Sequence, residues 1–290
     1  MNKFDIAIIG GDNRTACMAP IFAEKKLRVI CYGTVPLKQR EAVCPANIYH
    51  AASLQEALEN TPAIVCGIPF ERNGCLYWEQ EQPAIPLTEL QRCLRKHQKI
   101  FGGVIPEGFR RLCDEREIGC YDFMKEEPLT LFNAVATAEG AILEALSHKA
   151  TLLHHSPVLV LGYGRCGKPL AQKLLGLSAF VTVCSSCPVE LSMADALGCR
   201  TLPLSKLGRK IKDYEYLFNT IPACILNEYL LKNVRKDALI IDIASNRCGM
   251  DYEAAQKLNL AVRYCPGLPG KYAGVSCASR LAEYVMNACP

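Results

Sequence analysis

The run VLVLGYGRCG at residues 158–167 constrains the fold most, because an apolar strand pattern leads directly into Gly-x-Gly-x-x-Gly. The next eight residues carry apolar side chains at helical spacing. In this order a strand, a glycine turn and a helix form a phosphate-binding unit. Gly162 permits the tight turn, Gly164 lets the backbone approach a pyrophosphate, and Gly167 lets the helix pack on the strand. Because the helix N-terminus offers free N–H groups, the run predicts a dinucleotide site rather than a bare turn.

Strand and helix patterns alternate through two similar arrays. Strands are predicted at 4–9, 27–32, 63–69, 99–104 and 120–123 in the first array, and at 158–161, 180–184, 216–219, 239–243 and 261–264 in the second. A long helix over 129–149 joins the arrays. Its predicted buried stripe consists of Leu131, Val135, Ala138, Ile142, Leu143 and Leu146.

This alternation predicts an α/β protein with two Rossmann-like, doubly wound parallel-sheet domains facing a cleft. The N-terminal substrate or partner domain is predicted to cover 1–130, together with a C-terminal helix at about 275–290 that returns to it. The dinucleotide-binding domain is predicted to cover 131–274, including the linking helix.

Composition excludes several classes of protein. Half of the 290 residues are hydrophobic and the net charge of +4 is not gathered into basic runs, so nothing favours nucleic acid or an anionic membrane. The start lacks the apolar core of a signal peptide, and no uninterrupted apolar run has bilayer-spanning length, so we expect a cytoplasmic protein. Seventeen cysteines are scattered, and residues 184–187 form a lone Cys-x-x-Cys. We therefore predict reduced thiols and no metal.

The choice of dinucleotide rests on the residues that follow the second strand of the second array. An NAD-type site has Asp or Glu about 20 residues past the first glycine. Here residues 184–188 read Cys-Ser-Ser-Cys-Pro, and the first acid is Glu190. Ser185 and Ser186 suit a 2′-phosphate, which favours NADP and leaves NAD open. The cation that usually accompanies that phosphate is missing from 184–192, with Arg165 and Arg200 as candidate substitutes.

Ligands of open α/β sheets bind beyond the carboxyl ends of the strands. We therefore take the cofactor-binding residues from the glycine loop and from later loops that follow strands. They are Gly162, Tyr163, Gly164, Arg165, Cys166, Gly167, Ser185, Ser186, Asn219, Thr220, Ile221, Pro222, Ala244, Gly267 and Leu268.

Motifs in order along nearly the whole chain resemble those of the dipicolinate synthase A-subunit family. They are Gly-Gly-Asp-Asn-Arg at 10–14, Asn133 with Thr-Ala-Glu-Gly at 137–140, the glycine run at 162–167, Asn-Thr-Ile-Pro at 219–222, Asp-Ile-Ala-Ser at 242–245 and Pro-Gly-Leu-Pro-Gly at 266–270. The chain departs from the family pattern after Ser245, where Asn-Arg-Cys-Gly stands in place of Pro-Gly-Gly, and also at Gly274, Ala134 and Ala136.

The resemblance implies an oxidoreductase of spore-forming bacteria, located in the cytoplasm of the mother cell. The family oxidises a dihydrodipicolinate-type precursor to dipicolinate, pyridine-2,6-dicarboxylate, with a nicotinamide acceptor. It also works with a second, flavoprotein-like subunit, so we expect a homo- or hetero-oligomer.

A dicarboxylate substrate needs paired hydrogen-bond donors. Arg14 is the best candidate, because a guanidinium group binds a carboxylate bidentately. Asn13 adds a second donor, whereas Asp12 is more simply a helix N-cap within this predicted substrate loop. Lys271 is a candidate cation for a substrate carboxylate, and Ser245 is predicted to frame the nicotinamide ring together with the 267–268 backbone.

The catalytic prediction concerns the linking helix. Asn133 and Thr137 are four residues apart and share one face, so they are predicted to bind substrate. Glu139 is predicted to orient them or to accept a proton.

Two other interpretations stay open. A shikimate- or methylenetetrahydrofolate-type dehydrogenase shares the two-domain plan, although the first array has no Lys in a strand-end loop for the Lys–Asp dyad of the shikimate type. Alternatively, the chain is a non-catalytic nucleotide-binding scaffold whose partner performs the chemistry.

Overall fold

The structure is a computed structural model that describes residues 3–36, 46–79 and 84–289, so the predicted domain parts at 1–2, 37–45, 80–83 and 290 lie outside the described residues. The strands, in chain order, are β1 (Ile6–Ile9), β2 (Val29–Tyr32), β3 (Ile48–His50), β4 (Ala63–Val65), β5 (Glu71–Arg72), β6 (Cys75–Leu76), β7 (Lys99–Gly102), β8 (Gly119–Asp122), β9 (Pro157–Leu161), β10 (Phe180–Ser185), β11 (Arg200–Pro203), β12 (Tyr216–Asn219), β13 (Leu239–Asp242) and β14 (Ala261–Tyr264).

The α-helices, in chain order, are α1 (Asn13–Glu24), α2 (Leu54–Leu58), α3 (Leu87–Cys93), α4 (Glu107–Glu115), α5 (Glu127–His148), α6 (Gly167–Gly176), α7 (Pro188–Ala196), α8 (Leu207–Lys210), α9 (Glu228–Leu231), α10 (Tyr252–Lys257), α11 (Leu268–Tyr272) and α12 (Gly274–Ala288). Short 3-10 helices occur at Phe123–Lys125, Leu204–Lys206, Ile211–Asp213 and Ser245–Arg247.

The chain divides into two units. The first runs as far as Thr130 and resumes at Ala273, and the second comprises Leu131–Tyr272. Each unit has a six-stranded parallel sheet, ordered β3-β2-β1-β4-β7-β8 in the first and β11-β10-β9-β12-β13-β14 in the second. Both have the doubly wound order in which the first strand lies at the switch point. The predicted α/β class with two parallel-sheet domains is confirmed, while the cleft stays a prediction.

The central strands are apolar because both faces of each sheet are covered. Every residue of β1 and β13 is buried. In the second unit one cluster of buried side chains contains Val158 and Val160, and another contains Leu159 and Leu161. Alternate residues of β9 therefore enter opposite faces of one sheet, as strand geometry requires.

The C-terminal helix α12 packs in the first unit, as predicted. Leu281 and Val285 share a buried cluster with Met18 and Phe22 of α1. Nζ of Lys99 on β7 donates a hydrogen bond of 2.6 Å to the carbonyl oxygen of Ala288. The last helix therefore completes the core of the unit in which the chain began.

The predicted buried stripe of α5 is partly wrong. Ala138 and Ile142 are buried, but Leu131, Val135, Leu143 and Leu146 are exposed. Small residues face the core instead, with Ala138, Ala141 and Ala145 in the same buried cluster as β9. Alanine lets a helix approach a sheet closely, so the larger apolar residues of α5 lie outside.

One helix of the described part is long and apolar enough, by length and composition alone, to cross a membrane. This helix is α5, and half of its most apolar window is buried inside the protein. Core helices of water-soluble proteins pass the same test, so the finding is weak evidence for a membrane span.

Candidate functional site

The three glycines of the loop between β9 and α6 differ in how much space surrounds them. Gly162 has a φ of +90°, and a Cβ there would lie 2.6 Å from Oγ1 of Thr220. A Cβ on Gly167 would lie 2.2 Å from the carbonyl oxygen of Gly162. Around Gly164, by contrast, the described residues place no heavy atom within 4 Å of the Cβ position, its chain neighbours apart. Packing within the protein therefore requires Gly162 and Gly167, whereas Gly164 borders open space.

The open space lies beside the N-terminus of α6. The backbone N–H of Lys168 donates to the carbonyl of Gly164 at 3.1 Å, and that of Leu170 donates to Cys166 at 3.2 Å. The N–H groups that precede the first hydrogen-bonded turn have no acceptor within a helix, and the helix dipole favours an anion there. A Cβ at position 164 would fill this space, so the residues present fit a dinucleotide diphosphate.

The other predicted loop residues contribute in different ways. The Tyr163 side chain is fully buried in the core, so only its backbone can meet a ligand, and burial raises the pKa of its phenol. Arg165 is exposed and Cys166 is half-buried. Burial raises the pKa of the Cys166 thiol, which therefore stays protonated at neutral pH.

The end of β10 is in contact with Glu190, the first acid after the strand, although the sequence pattern did not predict this contact. Ser185 is buried at the last position of the strand, and its hydroxyl donates to Oε2 of Glu190 at 2.5 Å. The same hydroxyl accepts a hydrogen bond of 3.0 Å from the backbone N–H of Cys187. Ser186 is exposed. Glu190, in the first turn of α7, is thereby brought back to the strand end.

Residues 219–222 adjoin the glycine loop. Oγ1 of Thr220 donates to the carbonyl of Leu161 at 2.8 Å, which ties this segment to the end of β9. Asn219 is fully buried, and its amide donates to Oδ1 of Asp242 at 3.1 Å. Pro222 is exposed and Ile221 is half-buried. Asn219 therefore shapes the loop from within, and the side chains of Thr220 and Ile221 lie beside Gly162.

Asp242 organises the end of β13. Its Oδ1 also accepts the backbone N–H of Ala244 at 2.9 Å, and its Oδ2 accepts the phenol of Tyr252. Burial and this bond raise the pKa of Tyr252, so the phenol keeps its proton. Arg247 stacks over the Tyr252 ring at 4.6 Å. Ser245 is exposed next to this network. The buried Asp242 carboxylate therefore fixes the loop that carries Ser245.

A second polar cluster joins α5 to α11. Glu144 is 2% exposed, and its Oε1 accepts Nζ of Lys271 at 2.5 Å and the hydroxyl of Tyr272 at 2.6 Å. Burial raises the pKa of Glu144, but the two hydrogen bonds outweigh it, so the pKa lies below its ordinary value. The bond to Glu144 raises the pKa of Lys271. Lys271 is thus a fixed cation rather than a free one.

The predicted substrate face of α5 is only partly supported. Successive residues of a helix differ by about 100°, so Asn133, Thr137, Gly140 and Glu144 share one face. A Cβ on Gly140 would lie 2.9 Å from Cβ of Leu268, which shows how closely α11 approaches this face. The Thr137 hydroxyl donates to the carbonyl of Asn133 at 2.9 Å. Gly267, with a φ of +66°, has open space at its Cβ position among the described residues.

Glu139 does not orient Asn133 or Thr137. It lies two residues beyond Thr137 and therefore on roughly the opposite side of the helix. Its side chain is 60% exposed, and Nζ of Lys173 on α6 donates to it at 2.8 Å. This part of the catalytic prediction is wrong for the geometry that the structure shows.

Arg14 is placed differently from the prediction as well. It is 3% exposed, and its Nη2 donates to Oδ2 of Asp12 at 2.7 Å and to the carbonyl of Ile68 at 2.6 Å. Asp12 is the N-cap of α1, as predicted, because its Oδ1 accepts the backbone N–H of Arg14 at 2.9 Å. Amide atoms of Asn13 lie close to Gly274. The prediction of a guanidinium fork offered to a substrate is therefore corrected: Arg14 is used inside the protein.

The glycine loop of the first unit is covered. The backbone N–H of Gly11 donates to the carbonyl of Tyr77 at 2.6 Å, and the N–H of Glu79 donates back to Gly11 at 3.0 Å. A Cβ on Gly10 would lie 2.8 Å from the Tyr77 carbonyl oxygen. Residues 77–79 thus occupy the position at which a phosphate would meet this loop.

This chain is similar to known proteins both in its sequence and in its structure. Residues 5–124 match the family described as the N-terminal domain of the dipicolinate synthase A-subunit. The dipicolinate synthase A-subunit of Bacillus subtilis (strain 168) is 30% identical over 187 residues, which cover 64% of this chain and 63% of the relative. The aligned part therefore spans less than two thirds of that relative.

Two solved structures show the same fold. The crystal structure of the dipicolinate synthase A-subunit from Bacillus halodurans has a TM-score of 0.85 at 23% identity, and covers 99% of this chain and 97% of its own. A transhydrogenase from Sinorhizobium meliloti has a TM-score of 0.68 at 10% identity, over 98% and 93% of the two chains.

Proposed function

We propose that this chain is a nicotinamide-dependent oxidoreductase of the dipicolinate synthase A-subunit family, because residues 5–124 match the N-terminal domain of that family and a curated A-subunit is 30% identical over 187 residues. The observation that carries this proposal is the loop between β9 and α6. Gly162 and Gly167 are closed in by the protein, and Gly164 faces open space at a helix N-terminus. A loop that served only as a turn could carry a side chain at position 164, because the described residues leave open space there.

The residues around this loop would hold the cofactor as follows. Backbone N–H groups at the start of α6 would bind the diphosphate, and the 219–222 and 244–245 segments would lie beside the nicotinamide half. Both segments are held by the buried Asp242 carboxylate, which accepts hydrogen bonds from the Asn219 amide and from the backbone N–H of Ala244. When bound, the nicotinamide ring supplies a hydride acceptor. The sequence favours NADP over NAD, and the end of β10 is where that choice is made.

The substrate that family membership supports is a dihydrodipicolinate-type precursor, oxidised to dipicolinate. Removal of a hydride and a proton makes its ring aromatic, so the protein's main task is to position the ring. Lys271 suits a substrate carboxylate, since its bond to Glu144 holds it in place and raises its pKa. Asn133 and Thr137, on the same face of α5 as Glu144, are the proposed polar contacts. Arg14 and Glu139 are not part of this proposal.

The partner and the location follow from the family in the same way. The Bacillus subtilis relative is named as one subunit of a synthase, so we expect this chain to act with a second, flavoprotein-like subunit. Because the family makes dipicolinate for spores, we expect the chain in the cytoplasm of the mother cell.

Gly164→Ala tests the observation on which the proposal rests, the open space around Gly164. The new methyl group meets no described protein atom within 4 Å, so the variant should fold normally. It would block the approach of a diphosphate, and we expect binding of NAD and NADP to weaken by at least about tenfold in calorimetry. Gly176→Ala is the matched control, because Gly176 ends the same helix and also has open space around it among the described residues.

Unchanged dinucleotide affinity in Gly164→Ala would show that the loop is not the binding site. If the wild-type chain bound neither dinucleotide, it would be a docking subunit instead. Oxidation of the precursor, assayed with and without the second subunit, then tests the reaction itself.

A further inference from the structure

Two cysteines of the first unit lie against each other. Cys113, in the last turn of α4, is fully buried, and Cys120, in β8, is half-buried; both are free thiols. The backbone N–H of Ile118 donates to the carbonyl of Cys113 at 2.9 Å, so the chain folds back at the end of α4 before it enters β8. Cys113 and Cys120 contact the same cluster of buried side chains, and their thiol groups are hydrogen-bonded to each other.

The two thiols differ in acidity. The hydrogen bond from Cys113 has the largest effect on the pKa of Cys120, and together with the positive charge of Arg110 it outweighs burial. The carboxylates of Asp114 and Asp122 act against it, and the pKa of Cys120 still lies below its ordinary value. The same hydrogen bond and burial raise the pKa of Cys113, which therefore keeps its proton at neutral pH. One sulfur is thus suited to be a nucleophile and the other to be its hydrogen-bond donor.

Arg110 of α4 supports negative charge on Cys120. Its Nη1 donates to the carbonyl oxygen of Cys120 at 3.2 Å. Its Nε and Nη2 are buried and have no hydrogen-bond acceptor within the described part of the chain. Oδ2 of Asp122 is an ion-pair partner of Nη2 at 3.6 Å, but that oxygen accepts the backbone N–H of Ile105 at 2.9 Å. Because buried N–H groups without an acceptor favour a nearby anion, the guanidinium stabilises a thiolate at position 120.

The other cysteines show how selective this environment is. Among the cysteines with a shifted pKa in the described ranges, Cys120 is the one whose pKa is lowered. Cys93 gives the closest comparison, because it is also half-buried and packs against the same cluster, yet burial raises its pKa. Since the thiolate is the reactive form of cysteine, oxidation should begin at Cys120.

We propose that Cys113 and Cys120 are the site of a reversible oxidation, in which hydrogen peroxide converts the two thiols to a disulfide. The Cys120 thiolate attacks one peroxide oxygen. An S–O bond forms as the O–O bond breaks, and the leaving hydroxide takes up the proton that Cys120 had released, giving water. The sulfur of Cys113 then attacks the sulfenic acid on Cys120: the S–S bond forms, the S–O bond breaks, and the hydroxide leaves as water with the Cys113 proton. A dithiol reductant restores both thiols by exchange.

Peroxide treatment of the reduced full chain tests the proposal. Trypsin would release residues 112–116 and 117–125, each of which carries one cysteine of the pair. After alkylation of the free thiols, mass spectrometry should find these two peptides joined with the loss of two hydrogens, and dithiothreitol should separate them. We expect the joined peptides to form at least about tenfold faster than any oxidation product of Cys93. The pair lies outside the proposed dinucleotide loop, so the reaction needs no cofactor.

Variants separate the roles of the residues. Cys113→Ser should stop the reaction at a sulfenic acid on Cys120, which dimedone labels, and Cys120→Ser should leave Cys113 reduced. Cys93→Ser is the matched control and should form the joined peptides at the wild-type rate. Arg110→Gln should slow oxidation of Cys120 at least about threefold at neutral pH and raise the pH midpoint of its alkylation. Arg110→Lys keeps the charge and should restore both, whereas a merely structural role of Arg110 would leave the midpoint unmoved.

Two results from the wild-type chain would overturn the proposal, and neither depends on the folding of a variant. One is oxidation of Cys93 as fast as that of Cys120. The other is a Cys120 that passes to sulfinic acid without forming the joined peptides, since Cys113 would then be out of reach of its sulfur.

Discussion

The two units share a strand order and a glycine loop after their first strand, yet they use that loop in opposite ways. In the first unit the carbonyl of Tyr77 takes the N–H of Gly11 at 2.6 Å, and Arg14 and Asp12 bind each other in the interior. In the second, Gly164 borders open space at the start of α6. The first loop is covered by hydrogen bonds within the protein, whereas the second borders open space in which the proposed dinucleotide would bind.

This comparison shows why a glycine motif and a Rossmann-like sheet do not by themselves identify a dinucleotide site. What separates the two units is a short segment, 77–79, that covers one loop and has no counterpart among the described residues over Gly164. The comparison also predicts where substitutions act. In the first loop they should reduce stability, whereas at Gly164 of the second loop, which borders open space, they should reduce binding.

Arg14→Met should have the largest effect on stability. It leaves the carboxylate of Asp12 buried without its cation, and loss of one partner of a buried pair costs about 3–5 kcal/mol. Urea denaturation would measure the change. The matched variant is Asp12→Asn with Arg14→Met, which removes both charges and keeps an N-cap residue. We expect the double variant to be more stable than Arg14→Met alone.

A stable Arg14→Met variant with a raised KM for substrate would break the comparison. Arg14 would then bind a ligand, and both glycine loops would take part in ligand binding.

Gly167→Ala sharpens the comparison within the second loop. Its methyl group would lie 2.2 Å from the carbonyl oxygen of Gly162, so the helix must move away from the strand. Overpacking of this kind costs about 3 kcal/mol. Gly176→Ala, in the same helix, should be neutral or stabilising by up to about 1 kcal/mol, because alanine favours a helix. Equal thermal stability of the two variants would show that the loop relaxes freely.

The sheets were predictable because buried parallel strands are continuous apolar runs, and β1, β9 and β13 are of this kind. The outer strands β3 and β11 were missed, since most of their residues are half-buried or exposed and carry no such signal. The stripe of α5 was assigned to the large apolar residues, whereas close packing selects alanines. Local sequence period indicates a helix, but only the neighbouring surface decides which face it buries.

The candidate site was predictable where one segment holds all of its parts, as in the loop at 162–167. It was not where two segments meet. The return of Glu190 to Ser185 depends on a turn, the cover over Gly11 on a segment more than 60 residues away, and the Glu144 cluster on α11. The last two pairings join segments that are far apart in the chain, and the first depends on the course of a turn rather than on a residue spacing, so no local pattern predicts them.

Glu144→Gln should have the smallest effect, and it tests whether the second unit contains a pair of the kind seen in the first. Glu144 is 3% exposed in its side chain, but Lys271 is 55% exposed, so water can partly replace the lost interaction. We expect a loss of about 1–2 kcal/mol in the free energy of unfolding at neutral pH. Glu139→Gln, which removes an exposed pair with Lys173, should change it by less than about 0.5 kcal/mol.

The pH dependence gives the sharper measurement. The pKa of Glu144 lies below its ordinary value of 4.5, so its contribution is complete above that pH and is lost as the pH falls through the lowered pKa. The pKa of Lys271 lies above 10.5, so its contribution holds below that pH and disappears as the pH rises through the raised pKa. Glu144→Gln should therefore flatten the stability profile at both ends. A profile that matches Glu139→Gln would mean that Lys271 is not fixed by Glu144, and the substrate-side assignment of Lys271 would lose its support.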